Sequence, residues 1–193
     1  LGMFAAQLVE GRFQELNINY SGEITAHDLS PVTMALAKGV LSPILKETVN
    51  FVNAVSLLKE RGIKLRESKS AQEGEFVNLI QLEIKTDKES KSLCGTLSSN
   101  SQPRIVKIDD YYLELYPVGE MVFIRNWDKP GLIGSLGTLM GREGINIAAM
   151  TFGRDKPGGK AISVLNVDSL VSADVQEKIK KLENILTVKV IRT

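Results

Sequence analysis

The sequence predicts an α+β protein made of two domains. Its 193 residues suffice for one large or two modest domains, and its hydrophobic content of 43% suits ordinary buried cores. Helical patterns near the start give way to a run of strand patterns, which is typical of an α+β domain. A second, self-contained series begins after Pro117-Val118-Gly119, so we place the domain boundary between residues 118 and 119.

The first domain is predicted to contain three helices and six strands. One helix covers residues 1–10, a second starts at Ser30-Pro31 and closes at Gly39, and a third covers residues 48–61. The predicted strands lie at residues 13–20, 63–69, 76–86, 92–99, 104–108 and 111–116. Asp109-Asp110 is predicted to form the hairpin turn between the last two strands.

The second domain shows a strand, helix, strand, strand, helix, strand order. Its strands are predicted at residues 121–125, 145–153, 161–167 and 185–191, and its helices at 132–143 and 173–182. This βαββαβ order predicts a ferredoxin-like architecture.

The segment from Asn126 to Gly134 is the most informative stretch of the chain, because it joins a predicted strand to a predicted helix through a polar turn. Asp128 can cap the helix, and Pro130 suits its first turn because it has no N–H to leave unpaired. The remaining N–H groups would attract an anion such as a carboxylate. The alternative is a capped turn without a ligand.

Amide and carboxylate side chains flank this turn. Asn126, together with Asn146 further along the chain, offers donors and acceptors, and Asp128 can pair with an ammonium group. The set suits a free amino acid and indicates a small-molecule sensor more than a catalytic site.

Glycines recur at helical spacing in the helix that follows. Gly134, Gly137 and Gly141 cost helix stability, so we expect them to allow close approach to the sheet or to a neighbouring helix. The run from Gly131 to Gly137 has Gly-x-x-Gly-x-x-Gly spacing and departs from the dinucleotide fingerprint.

Charge and composition argue against several classes of function. The 24 basic and 23 acidic residues are intermingled, which gives a net charge of +1 and no nucleic-acid footprint. No apolar run approaches the roughly 20 residues of a membrane-spanning helix. One histidine, His27, and one cysteine, Cys94, are a poor basis for nucleophilic catalysis or for a cysteine metal cage. We expect Cys94 to be a buried strand residue.

Several stretches also resemble a known family. Residues 121–193 resemble an ACT domain, and nearly the whole chain resembles the regulatory region of the long-form D-3-phosphoglycerate dehydrogenase family. The resemblance rests on Lys38-Gly39-Val40-Leu41, Val49-Asn50-Phe51-Val52-Asn53-Ala54, Glu60-Arg61-Gly62-Ile63, Pro103-Arg104-Ile105-Val106-Lys107-Ile108, Asn126-Trp127-Asp128-Lys129-Pro130-Gly131, Gly137-Thr138-Leu139-Met140-Gly141 and Gly144-Ile145-Asn146-Ile147-Ala148.

The resemblance implies an organisation and an effector site. Residues 1–12 would be the terminal helix of a missing catalytic region, residues 13–118 an allosteric substrate-binding (ASB) domain, and residues 119–193 an ACT domain. The ACT domains of two copies would pair and bind L-serine. The implied serine-binding residues are Asn126, Asp128, Gly131, Leu132, Ile133, Asn146 and Ile147.

It further implies an NAD-dependent parent enzyme of serine biosynthesis that is cytoplasmic, with an organellar location left open. This chain would contribute no catalytic, cofactor-binding or metal-binding residue. Its charge and hydropathy, as above, predict no contact with nucleic acid or membrane. For the ASB domain the implied ligand is an anionic phosphorylated acid. Arg104 and Lys107 are the candidate ligands, and strand alternation predicts them on opposite faces.

Two other parents fit the same domain pattern: the regulatory subunit of an iron–sulfur L-serine dehydratase, and a free-standing amino-acid sensor. The lead-in at residues 1–8 and the lack of a Ser-rich anion loop favour the dehydrogenase over the dehydratase. The sequence shows neither a helix-turn-helix signature nor a basic face to support a transcriptional regulator.

Overall fold

The computed structural model describes residues 1–45, 47–71 and 75–193. The chain divides into two compact units, Leu1–Asp109 and Asp110–Thr193. This division lies earlier than the boundary predicted after residue 118. The reason is that residues 116–118 are tied to the second unit. Asn166 Nδ2 donates to the carbonyl oxygens of Tyr116 and Val118 at 3.0 and 3.2 Å, and Thr193 Oγ1 donates to that of Pro117 at 2.9 Å.

The first unit packs three helices with a mixed sheet. In chain order its elements are α1 Gly2–Leu8, β1 Phe13–Gly22, a 3₁₀ turn Glu23–Ala26, α2 Ser30–Leu41, α3 Ala54–Glu60, β2 Lys64–Ser70, β3 Asn78–Thr86, β4 Ser90–Leu97 and β5 Pro103–Ile108. The strands lie in the order β2-β1-β3-β4-β5, and only the β1–β2 pairing is parallel. The alternating burial of β1 places Leu16, Ile18 and Tyr20 in the core.

Gly39 lies within α2, and the prediction that it closes the helix is wrong. It faces α1, where a β-carbon added to Gly39 would lie 3.0 Å from the backbone nitrogen of Met3. A β-carbon on Gly2 would lie 2.5 Å from the carbonyl oxygen of Leu36. The two helices therefore cross at their backbones, which glycine alone permits.

The third helix begins later than predicted, because two asparagines hold the segment before it in a turn. Asn50 Oδ1 accepts from the backbone nitrogen of Asn53 at 3.0 Å, and Asn53 Oδ1 accepts from that of Asn50 at 2.8 Å. This reciprocal pattern is that of a capping box. Phe51 is 52% exposed, and Lys38 Nζ lies over its ring at 4.5 Å from the ring centre.

The second unit begins with β6 Tyr111–Leu115, which follows a turn at Asp109-Asp110, where a turn was predicted. Then come β7 Glu120–Trp127, α4 Leu132–Arg142, β8 Ile147–Arg154, β9 Lys160–Val167, α5 Ala173–Lys180 and β10 Ile185–Arg192. The last six elements have the predicted βαββαβ order, and their antiparallel sheet runs β10-β7-β9-β8. The predicted ferredoxin-like architecture is confirmed.

The core of the second unit lies between α4, α5 and one face of the sheet. Leu132, Leu136 and Met140 point inward from α4 and pack with buried residues of the strands and of α5. The α4 glycines lie on the opposite side, where an added β-carbon would meet no described atom within 4 Å. The expectation that they bring the helix close to its own sheet is therefore wrong, and an outward, helix-facing role is the alternative that is left.

None of the described helices is both long enough and apolar enough to span a membrane.

Candidate functional site

The turn between β7 and α4 has an unusual helix start. Gly131 occupies the N-cap position with φ of 91°, and no side chain caps the helix there. Glycine is favoured at this position because an L side chain would be strained at that φ. Helix starts leave several backbone N–H groups without intrahelical partners, so this end of α4 favours a negative group.

Asp128 does not cap α4, contrary to the prediction. Its Oδ2 accepts from Arg154 at 2.8 Å and from the backbone nitrogen of Gly158 at 3.2 Å. Its own backbone nitrogen donates to the carbonyl oxygen of Gly159 at 2.8 Å. The hydrogen bond from Arg154, with that from Gly158, lowers the pKa of the Asp128 carboxyl below its usual value of 3.8. The turn is therefore held to the β8–β9 hairpin, which lies distant in sequence.

Asn126 is fully buried at the end of β7. Its Oδ1 accepts from Ser163 Oγ at 3.0 Å, and its Nδ2 donates to the carbonyl oxygen of Trp127 at 3.0 Å. In the single chain this buried side chain therefore stabilises the turn through internal hydrogen bonds.

The other residues predicted for this half of the site differ in exposure. Leu132 is 5% exposed and its side chain packs in the core, so only its backbone can face a ligand. Ile133 is 58% exposed and Gly131 is also exposed, so both are accessible in the single chain.

Asn146 and Ile147 form the second half of the predicted site. Asn146 is exposed just before β8, and its Nδ2 donates to Asp168 Oδ2 at 2.6 Å. The backbone nitrogen of Asp168 also donates to the carbonyl oxygen of Asn146 at 3.2 Å. Ile147 follows at the start of β8 and is half-buried.

The two halves lie at opposite ends of one sheet. Asn126 pairs with Ala161 near the start of β9, whereas Ile147 pairs with Val167 at its end. Ala161 and Val167 are six residue steps apart along β9, which corresponds to about 20 Å of extended strand. A single amino acid cannot bridge that length, so one chain does not bring the predicted residues together.

Comparisons with known proteins identify both units. The D-3-phosphoglycerate dehydrogenase intervening domain matches residues 1–109, and the ACT domain matches residues 121–184. The chain belongs to the D-3-phosphoglycerate dehydrogenase intervening-domain family. Its intervening domain is followed by an ACT domain, which contains both groups of predicted effector-binding residues.

Three curated relatives match almost the whole chain. The D-3-phosphoglycerate dehydrogenase of Methanocaldococcus jannaschii is 37% identical and that of Bacillus subtilis 34%, each over 99% of this chain and 36% of the relative. That of Archaeoglobus fulgidus is 36% identical over 96% of this chain and 36% of the relative. The chain thus spans about a third of the length of these relatives.

In the intervening domain, Arg104 and Lys107 lie on the same face of β5, and the prediction of opposite faces is wrong. A β-bulge at Val106 is the cause, since Arg104 pairs with Thr96 and Lys107 pairs with Cys94, two positions apart on β4. The bulge lets Ile105 and Ile108 both enter the core at 1% exposure. The sequence signal for this bulge is the spacing of Ile105 and Ile108, because two apolar residues three apart in a regular strand would point to opposite faces.

Cys94 is a buried strand residue, as predicted. Burial raises the pKa of its thiol, and the nearby Lys107 charge offsets this only in part. A thiol of this kind is unreactive as a nucleophile.

Sequence reasoning missed three residues that organise the half-sites: Ser163, Arg154 and Asp168. Each bonds to a predicted residue across at least 22 positions of sequence. The predicted βαββαβ order could have indicated that Arg154 and Asp168 lie at the ends of β8 and β9, close to the predicted site residues. Over residues 1–45, 47–71 and 75–193, no group of three or more His, Cys, Asp or Glu side chains is placed to hold a metal ion.

Proposed function

We propose that this chain is a regulatory part of an NAD-dependent D-3-phosphoglycerate dehydrogenase of serine biosynthesis, and that it binds L-serine between the ACT domains of two copies. The observation that carries the proposal is the separation of the two half-sites. They lie at opposite ends of the ACT sheet, so a complete site needs the turn of one copy and the Asn146 end of another.

A twofold axis satisfies this requirement and gives two equivalent sites. Among the described residues, β8 is an edge strand of this sheet and pairs with β9, and its residues Ala148 and Ala149 are small and exposed, which suits self-association. Pairing of this edge in a second copy would also cover an unprotected sheet edge. The outward glycines of α4 allow the backbone of a neighbouring helix to approach closely.

The chemistry of the combined site suits an amino acid. The uncapped start of α4 favours a carboxylate, with Gly131 and Ile133 supplying backbone groups on either side of Leu132, whose nitrogen donates to the Lys129 carbonyl oxygen at 3.4 Å. Asn126 and Asp128 hold the turn that presents them, and Asn146 and Ile147 come from the other copy. A ligand of about seven heavy atoms can reach micromolar affinity if all its polar groups are paired.

Family membership supports a proposal for the parent activity. The relatives are named D-3-phosphoglycerate dehydrogenase, so we propose that the parent protein is that cytoplasmic oxidoreductase and that NAD and the catalytic residues belong to parts outside this chain. In this chain the proposed partners are L-serine and a second copy, without nucleic acid or membrane.

Titration calorimetry with L-serine tests the effector assignment. Wild type is expected to show saturable heat that Asn146→Ala abolishes, whereas the exposed Asn100→Ala in the intervening domain leaves the heat unchanged. A wild-type titration without saturable heat would refute the serine assignment.

Mixing two inactive variants tests the shared site. Gly131→Val distorts one half-site and Asn146→Ala removes the other, so neither pure dimer has an intact site. After subunit exchange of an equal mixture, half of the dimers are mixed and each has one intact site, which restores about a quarter of the wild-type sites. If mixing restores no binding although wild type binds serine, both halves act within one chain and the interfacial site is wrong.

The same-face placement of Arg104 and Lys107 favours a second proposal, that the intervening domain binds an anionic phosphorylated acid there. With 3-phosphoglycerate as the probe, Arg104→Gln with Lys107→Gln is expected to remove saturable heat. Lys64→Gln with Lys69→Gln on β2 removes the same charge and is expected to leave the heat unchanged.

A further inference from the structure

The amide of Asn146 has a fixed orientation. Asp168 accepts from Asn146 Nδ2 at 2.6 Å, and an ionised carboxylate can only accept hydrogen bonds. The amide must therefore turn its NH₂ group toward Asp168 and its Oδ1 away. The backbone hydrogen bond from Asp168 to Asn146 holds the two residues together as a pair.

The Asn146–Asp168 pair presents hydrogen-bond acceptors and a negative charge to a ligand. Asn146 Oδ1 is an acceptor, and the neighbouring Asp168 carboxylate adds a full negative charge at an exposed position. Both features favour a ligand group that donates hydrogen bonds and is positively charged. The α-ammonium of an amino acid is such a group.

The opposite half-site has the reverse character. The charge of Asp128 is already matched by Arg154 at 2.8 Å, and Gly158 donates a second bond to the same oxygen. The uncapped start of α4 adds partial positive charge. This half therefore suits the carboxylate of the ligand, and Asp128 is engaged within its own chain.

We propose that Asp168 is a further ligand-binding residue, which together with Asn146 Oδ1 binds the ammonium of the amino acid, while Asp128 and Arg154 position the turn that receives its carboxylate. This proposal rests on the proposed function and fixes the orientation of the ligand across the interface. It also explains how the site would distinguish an amino acid from the corresponding hydroxy acid.

Calorimetry with L-serine and L-glycerate, in which a hydroxyl replaces the ammonium, tests the proposal on the full chain. Asp168→Asn retains an oxygen that can accept from Asn146 but removes the charge. We expect it to weaken L-serine binding at least tenfold and to leave L-glycerate, measured by competition, within twofold of wild type. Asp168→Glu keeps the charge and is expected to recover most of the L-serine affinity.

Two matched variants serve as controls. Asp174→Asn removes an exposed carboxylate on α5 and is expected to change neither ligand. Asp128→Asn is expected to shift the affinities for L-serine and L-glycerate by the same factor, because it perturbs the turn that binds the carboxylate common to both. Equal melting temperatures would show that the variants fold alike.

Three outcomes would overturn the proposal. If Asp168→Asn binds L-serine like wild type, Asp168 does not contact the ammonium. If it weakens L-serine and L-glycerate equally, or if Asp128→Asn alone loses the discrimination, the assigned orientation is wrong. If wild type binds no L-serine, the proposed function fails and this inference fails with it.

Discussion

The close backbone contact between α1 and α2 at Gly39 can be tested by substitution with alanine. Gly39 and Gly137 both lie inside helices, so alanine at either position gains the same helix propensity, up to about 1 kcal/mol. They differ in surroundings within the single chain, because the new methyl group meets open space at Gly137 but lies 3.0 Å from the backbone nitrogen of Met3 at Gly39.

The difference between the two variants isolates the cost of this contact, since the propensity gain cancels. Overpacking of this kind costs about 1–3 kcal/mol. We therefore expect Gly137→Ala to raise the free energy of unfolding by up to about 1 kcal/mol. The free energy of unfolding of Gly39→Ala is expected to lie about 1–3 kcal/mol below that of Gly137→Ala.

Urea denaturation followed by circular dichroism measures both values, with a separate transition fitted for each unit if two are resolved. Repeating the titration over a tenfold range of protein concentration separates fold stability from association of the ACT domain. The reasoning fails if Gly39→Ala is as stabilising as Gly137→Ala, because the helices would then not be in backbone contact.

Two further outcomes follow from charge and burial. Burial opposes ionisation of Glu120, but hydrogen bonds from Arg192 and from the Val171 nitrogen outweigh it and lower its pKa below the usual 4.5. Its stabilising effect is therefore full above about pH 4.5 and is lost as the pH falls through the lowered pKa, so the stability gap to Glu120→Gln should close at acid pH and is measured by thermal melts. Cys94 is 7% exposed with a raised thiol pKa, so a thiol reagent is expected to label it only as the protein opens, and rapid labelling of the native chain would contradict its burial.

The order of elements in the second unit could be predicted because each one carries its own periodic pattern. The stripe of Leu132, Leu136 and Met140 and the apolar run of β7 are local signals, and the structure places their ends within two residues of the predicted ones. Turn chemistry was less reliable. The reciprocal bonds of Asn50 and Asn53 hold residues 50–53 in a turn, so α3 begins at Ala54 and not at residue 48.

Contacts between distant residues account for the predictions that were wrong. Gly39 is typical of a helix end, but α1 makes it a crossing point inside α2. Asp128 is suited to cap α4, but Arg154 and Gly158 satisfy its carboxylate instead. Strand alternation separated Arg104 from Lys107, but the register with β4 introduces a bulge that brings them to one face.

The sequence by itself therefore determined the two α+β units, the βαββαβ order and the buried Cys94. These depend on periodicity, composition and backbone preferences that act over a few neighbouring residues. Only the tertiary structure decided which partner each polar group takes, and that the two groups of predicted effector-binding residues lie at opposite ends of one sheet. Hydrogen bonds and strand register join residues far apart in the chain, so no local pattern contains them.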